Sequence, residues 1–385
     1  MRASAFFSRL VVLCCGALLL LLPGCIDPYM PDGLSGPPNY LVVDGFLNSQ
    51  GVTTIKLSRT YGIDTRTAPP VEARASVAIE QEAGPRIPLL EAPAGTYKSP
   101  QLLLNSASRY RLHIFTADGK EYASDYTSVK VTPAIDSVTW KTSVDGLKIY
   151  VNSHDDANNT QYYRWDYDET WEIVPVIFPQ YEYHVDDIRL IAVPYPTLCW
   201  GSTSSSAIRL TKTVGLSQDR VANFQLQSYP PTSERLRHKY SILVKQYAQT
   251  KEEYEYWELL RKNTESIGSL FDPLPSQLTG NIQCLNDSQE KALGYIGAYS
   301  VQEKRIFISR IELPRQWPYI TGYENCLPPD TVELKNIHVT FRTKTTVPIE
   351  PVFSAMGPLR GYSSTSVECA DCRKRGTAVR PSFWQ

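Results

Sequence analysis

The sequence predicts a mainly β protein built as tandem β-sandwich domains, of immunoglobulin or fibronectin type III kind, with one amphipathic helix inserted in the second. Three observations predict it. Short runs that alternate apolar and polar residues recur, broken by turn residues about every ten positions. Tyr is abundant at 24, Pro numbers 28 and Met only 3, a composition of strands joined by well-punctuated loops. A single stretch, opening at Thr250, changes to a helical period.

The first 24 residues read as a signal peptide. Arg2 and Arg9 precede an apolar run, Leu10 to Leu22, that is shorter than the roughly 20 residues a bilayer span needs. Leu22-Pro23-Gly24-Cys25 has the small residue and cysteine of a lipoprotein cleavage site, so Cys25 is the expected lipidation site. Acyl chains such as palmitate on Cys25 would hold the mature chain to a membrane, and lipid is the only membrane attachment expected. Residues 25–39 carry Pro28, Pro31, Gly33, Gly36, Pro37 and Pro38 and read as a tether.

The body opens at Tyr40-Leu41-Val42-Val43. Val52 to Ser58 and Ala75 to Glu80 alternate with period two. Tyr110, Leu112 and Ile114 share a face, and Asp118-Gly119 makes a hairpin turn into Tyr122. Residues 40–132 are thus expected to form the first sandwich. Thr132-Pro133 marks the boundary to a second domain, 133–385. There Asp145-Gly146 turns Ile135–Trp140 into Leu147–Val151.

Ten of the forty residues from 161 to 200 are aromatic. Tyr163, Trp165 and Tyr167 fit the inward face of a strand, with Arg164, Asp166 and Asp168 outward. Tyr181, Tyr183 and Tyr195 lie in looser, proline-punctuated sequence and are the candidates for an exposed ligand or partner surface, of glycan- or peptide-binding type. The helix is expected over 250–265. Thr250 caps it, Glu253 completes a capping box, and Tyr254, Trp257 and Leu260 recur at helical spacing. The tail ends Pro381-Ser382-Phe383-Trp384, apolar enough to dock.

Beyond Cys25 five cysteines remain: Cys199, Cys284, Cys326, Cys369 and Cys372. In an oxidising compartment they are disulfide candidates, with at least one left over. Cys369-Ala-Asp-Cys372 has redox spacing, but a redox motif belongs in a βαβ unit and this one lies in a polar C-terminal tail. Structural bridges from this pair to Cys199, Cys284 or Cys326 are the expectation.

Charge excludes one class of partner. Of 39 basic residues, 37 remain after Arg2 and Arg9, against 40 acidic ones, a net charge of −3, which offers nothing to nucleic acid. No His-Glu-x-x-His, Gly-x-Ser-x-Gly or phosphate-cradling glycine loop occurs. The five histidines are scattered. No catalytic residue, cofactor or metal is expected, although a carboxylate pair assembled across a cleft would leave no local signature.

Tyr254-Glu255-Tyr256-Trp257, Gly268-Ser269-Leu270-Phe271-Asp272-Pro273, Gly280-Asn281-Ile282 and Leu293-Gly294-Tyr295 come in order. With Cys369-Ala-Asp-Cys372 and the Pro-Ser-Phe-Trp end, the chain resembles the Bacteroidota lipoproteins catalogued as domain-of-unknown-function family 4249 (DUF4249). The resemblance implies an outer-membrane lipoprotein, on the cell surface or periplasmic face, accompanying a TonB-dependent transporter. It implies no activity. The expected function is therefore ligand capture or uptake as a non-catalytic partner of such a transporter. The alternatives are a stand-alone glycan- or peptide-binding module and a carboxylate-based hydrolase.

Overall fold

The computed structural model describes residues 39–62, 68–265, 280–326 and 329–385. Cys25, the tether to Pro38 and the Gly268–Pro275 motif lie outside the described residues. The fold is mainly β.

Eight strands come first: β1 (Leu41–Asn48), β2 (Val52–Arg59), β3 (Ser76–Gln81), β4 (Arg86–Glu91), β5 (Thr96–Gln101), β6 (Arg109–Phe115), β7 (Glu121–Ser124) and β8 (Thr127–Lys130). The next run comprises β9 (Ile135–Ser143), β10 (Gly146–Asp155), β11 (Tyr162–Ile173), β12 (Tyr181–His184), β13 (Asp187–Leu190), β14 (Cys199–Ser204), β15 (Arg209–Lys212), β16 (Asp219–Tyr229) and β17 (Lys239–Ala248). Helix α1 (Lys251–Glu265) follows, then β18 (Ile282–Cys284), β19 (Ala292–Leu293), β20 (Ala298–Tyr299) and β21 (Val301–Ser309). The chain closes with β22 (Asp330–Glu333), α2 (Ile337–Phe341), β23 (Thr346–Phe353), β24 (Leu359–Ser366) and α3 (Val367–Ala370).

The first unit is a barrel, which corrects the expected sandwich. Strands pair in the order β6-β3-β4-β5-β2-β1-β20-β8, and β8 pairs back to β6, closing a ring of eight. Eight strands leave an interior that side chains can fill. Leu41, Val43, Leu47, Ile55, Leu57, Tyr97, Leu112 and Tyr122 do so. The alternation read in β2 holds: Thr53, Ile55 and Leu57 are buried and Lys56 is exposed. A barrel and a sandwich put the same period-two pattern on their strands, so alternation alone does not separate them. What closes the ring is β20, about 170 residues downstream of β8 (Lys130 to Ala298).

The second unit has two sheets, β16-β10-β9 and β14-β11-β17-β21, with β15 also on β11. They share one core, in which Ile149, Val151, Trp165, Leu226, Ile242 and Val244 interdigitate. At its far end sits a cap, made of the sheet β22-β24-β23 and the hairpin β12-β13. The cap hairpin meets that sheet through the Gln180 N–H donating to the Ile349 carbonyl, 3.0 Å.

Helix α1 forms where expected. It follows β17 and packs on β11 and β15 of the sheets, while its Tyr256 meets Tyr295 and its Glu253 meets Gly297 on the barrel side. Two extended runs also pass from one unit to the other. Residues 127–143 carry β8 into β9, and residues 292–309 carry β19 and β20 into β21. Thr132 and Ser300 fasten the runs together. The Thr132 N–H donates to Ser300 Oγ at 2.9 Å, the Thr132 hydroxyl donates to the Ser300 carbonyl, and the Ala248 N–H donates to Thr132 Oγ1 at 3.0 Å. All of this is buried. Thr132→Val keeps the shape and strands a buried carbonyl and a buried N–H. Urea unfolding should show a loss of about 2 kcal/mol, and a loss indistinguishable from zero would mean that water replaces the hydroxyl.

Candidate functional site at the barrel–sheet junction

The junction is built from α1, β1, β11, β17 and β20. Thr250 caps α1 as expected, its Oγ1 accepting from the Glu253 N–H at 3.2 Å. The Glu253 side chain does not complete the capping box. It turns inward and is 1% exposed. Its Oε1 accepts from Gln249 Nε2 at 3.2 Å and from Trp257 Nε1 at 3.4 Å, while Oε2 has no hydrogen-bond partner. Gly297 lies against the carboxylate so closely that any Cβ there would collide with it.

Arg164 stands beside this group. It was expected to face outward on β11, and the alternation does turn it from the sheet core. Helix α1 then covers it, leaving it 8% exposed. Its guanidinium lies over the Trp257 ring at 4.4 Å and the Tyr247 ring at 4.5 Å. Its Nη1 donates to both oxygens of Asp166 at 3.0 Å. Burial works against its charge, but Asp166 and the neighbouring tyrosines and Glu253 outweigh it, so its pKa is raised. Tyr299 continues the aromatic wall, stacked on Phe46 with ring centroids 4.6 Å apart and edge-on to Tyr247 at 5.5 Å. Burial pushes the Glu253 carboxyl up to about 7, against the pull of Arg164.

The motif residues nearby acquire physical roles. Asn281 pairs with the backbone of Ile296 as a strand would, donating from Nδ2 at 3.0 Å and accepting at 2.9 Å. Gly280 approaches the Gly294 carbonyl where a side chain has no room.

Three open grooves surround β8. One of about 510 Å³ is lined by Arg109, Asp125, Tyr126, Thr250, Asn281 and Tyr295 among others. One of about 570 Å³ runs past Lys130, Val131, Pro133, Asp155 and Asn159. A third, about 420 Å³, is flanked by Leu103, Leu104, Asn105, Val129 and Val131. The second and third share Val129 and Val131, and Ser128 lines both the first and the second. Among the described residues no group of three or more His, Cys, Asp or Glu is placed to hold a metal. No described helix is long and apolar enough to cross a membrane.

The residues singled out in the sequence lie elsewhere. Tyr163, Trp165 and Tyr167 are buried inside the two-sheet core. Tyr181, Tyr183 and Tyr195 are half-buried around the cap and line none of the three grooves. Tyr181 packs on Tyr362, Tyr183 donates to Asp186 at 2.8 Å and packs on His338 and Phe341, and Tyr195 lies under Arg373. Each therefore has an intramolecular partner while staying partly exposed. Four of the cysteines pair, Cys199 with Cys372 and Cys326 with Cys369, so both members of the Cys-x-x-Cys pair bridge back to the body. Cys284 in β18 is the free one. Trp384 docks as expected, between Trp200 and Phe307, with its Nε1 donating to Glu172 at 3.0 Å.

Sequence reasoning missed Arg164 and Glu253. The available signal was a glutamate on the apolar stripe of α1, one residue before Tyr254, which the capping-box reading absorbed.

No curated protein matches the chain. Among solved structures, a BSP domain of a biofilm-associated protein aligns at 8% identity over 88% of this chain and 79% of that one, with a TM-score of 0.15, too low to carry an argument. The family model described as a domain of unknown function, DUF4249, matches residues 26–305. That match covers the barrel, the junction and most of the two-sheet unit, and the chain belongs to the DUF4249 family.

Proposed function

We propose that the protein is a lipid-anchored accessory factor of a bacterial outer membrane, held by Cys25 beside a TonB-dependent transporter and binding a ligand or transporter segment without catalysing a reaction. The observation that carries this reading is the set of grooves around β8. Each is within the 300–1,000 Å³ typical of ligand sites. Together they mix charged groups such as Arg109 and Lys130 with exposed apolar side chains, Leu103 at 85% and Val131 at 57% exposure. The signal segment, with its Leu22-Pro23-Gly24-Cys25 end, supports the anchor, and family membership supports the setting.

The test is capture from membranes. A photo-crosslinking residue at Leu103 or Val131 of the full chain is expected to trap a TonB-dependent barrel or its ligand. Leu103→Glu with Val131→Glu should cut capture about tenfold, a loss of about 1.4 kcal/mol. Both side chains are exposed, so the melting temperature should hold within about 2 °C. Undiminished capture by the double variant would move the site away from β8. Failure of the wild-type protein to retain any barrel would remove the transporter from the reading.

A further inference from the structure

Glu253 and Gln249 both end in buried oxygens that nothing satisfies. Glu253 Oε2 and Gln249 Oε1 have no hydrogen-bond partner, while the other halves of the same two groups are bonded, Gln249 Nε2 donating to Glu253 Oε1. Two orphaned acceptors on two groups already joined is the pattern left when one proton is missing. A carboxylic acid facing a primary amide makes two parallel bonds, N–H to the acid carbonyl and acid O–H to the amide carbonyl. A carboxylate can make only the first.

We propose that Glu253 is a neutral carboxylic acid at and below neutral pH, closing an acid–amide pair with Gln249, and that the seating of α1 on the barrel depends on that proton. Burial favours the neutral form and outweighs Arg164, Trp257, Gln249 and Tyr299, which favour the ionised one. Arg164 on β11 gives its Nη1 to Asp166, and no bond joins it to Glu253. The hydroxyls facing from other elements are those of Tyr299 on β20 and Tyr295 after β19; burial raises both and keeps them uncharged. Of these, Tyr299 aids the ionised carboxylate, but less than Arg164, Trp257 or Gln249 does. Glu252 on α1 is exposed and adds only like charge. The backbone at Gly297 closes the last side. Losing the proton to solvent leaves the acid and amide oxygens as two acceptors with no donor between them, inside the contact that joins helix, barrel and sheets.

The infrared carbonyl band of a buried protonated carboxylic acid reads this directly in the full chain. Wild type is expected to show it at pH 6 and to lose it with a midpoint of about 7. Glu253→Gln should lack it. Glu169→Gln should retain it, which separates Glu253 from the other buried carboxyl that burial raises. Hydrogen exchange supplies a second readout that needs no variant. Amides of α1 should be about tenfold less protected at pH 8.5 than at pH 6 after correction for intrinsic rates, with barrel amides unchanged. In Glu253→Gln that difference should vanish. Wild type without the band at pH 6, a band that survives Glu253→Gln, or helix protection independent of pH would each overturn the proposal.

Discussion

Replacing Cys372 with Ser is expected to lower stability by about 5 kcal/mol, the largest loss among single changes considered for this chain. The Cys199–Cys372 bridge closes a sequence separation of 173 residues. In the chain-entropy account a 100-residue loop already contributes about 4.7 kcal/mol, and the term grows slowly with length. Packing adds to it, because Cys199 and Cys372 are fully buried with Ile173 and Tyr323 around them. The loss should be local at first. Strands β22, β23 and β24 should lose amide protection before the barrel does, since Cys326–Cys369 ties the cap only to its own neighbour segment, 43 residues away in sequence. Urea unfolding of the variant beside wild type measures the total. A loss under about 2 kcal/mol would mean that packing alone seats the cap.

Stability should also fall as pH rises from about 4.5 to about 7, and the slope should become shallower in Glu253→Gln. The sign follows from where the proton sits. In the unfolded chain Glu253 releases its proton near the usual glutamate value of 4.5, whereas in the fold it keeps it to about 7. Between those values the folded state binds more protons, so stability is full below the lower value and is lost up to the higher one. A shift of that size corresponds to about 3 kcal/mol, as an order of magnitude. Glu169 is shifted in the same direction, by burial opposed by Tyr240 and Arg235, so the variant should remove part of the slope, not all of it. Guanidinium midpoints from pH 4.5 to 8.5 decide the matter. Parallel curves for wild type and Glu253→Gln would show that the carboxyl is ionised in the fold throughout.

Local patterns were legible in the sequence, and distant partners were not. Val52 to Ser58 and the Asp145-Gly146 hairpin stand where alternation and turn chemistry put them, because both depend on residues a few positions apart. Helix α1 was found from Thr250 and the recurrence of Tyr254 and Trp257. The barrel was not found. Its closure depends on Ala298 and Tyr299 pairing with Val129 and Lys130, two residues on each strand, far below any periodic signal. The same limit hid the junction. Arg164 sits on the outward side of an alternating strand and becomes buried only because a helix about ninety residues later lies over it. The cysteines show the intermediate case. That one or both members of the Cys-x-x-Cys pair bridge back to the body was readable from their setting; that both do, and with which partner, depends on how α3 presents Cys369 to Cys326, and the turn after it presents Cys372 to Cys199.

The paired runs through the junction form one continuous path from barrel to cap. Residue 39 enters at the end of the barrel where Leu41 pairs with Ala292, while β1 leaves toward the junction, where Leu47 pairs with Ala298. From there β21 continues along β17 to Ser309, toward the end of β11 that carries Ile173 and the disulfide to the cap. The run from Ala292 to Ser309 is 18 residues, on the order of 55 Å when extended. The parallel run through Thr132, bonded to Ser300 midway, keeps it from folding back like a hinge. The two units are therefore joined through cross-bonded runs and not by one single-stranded linker.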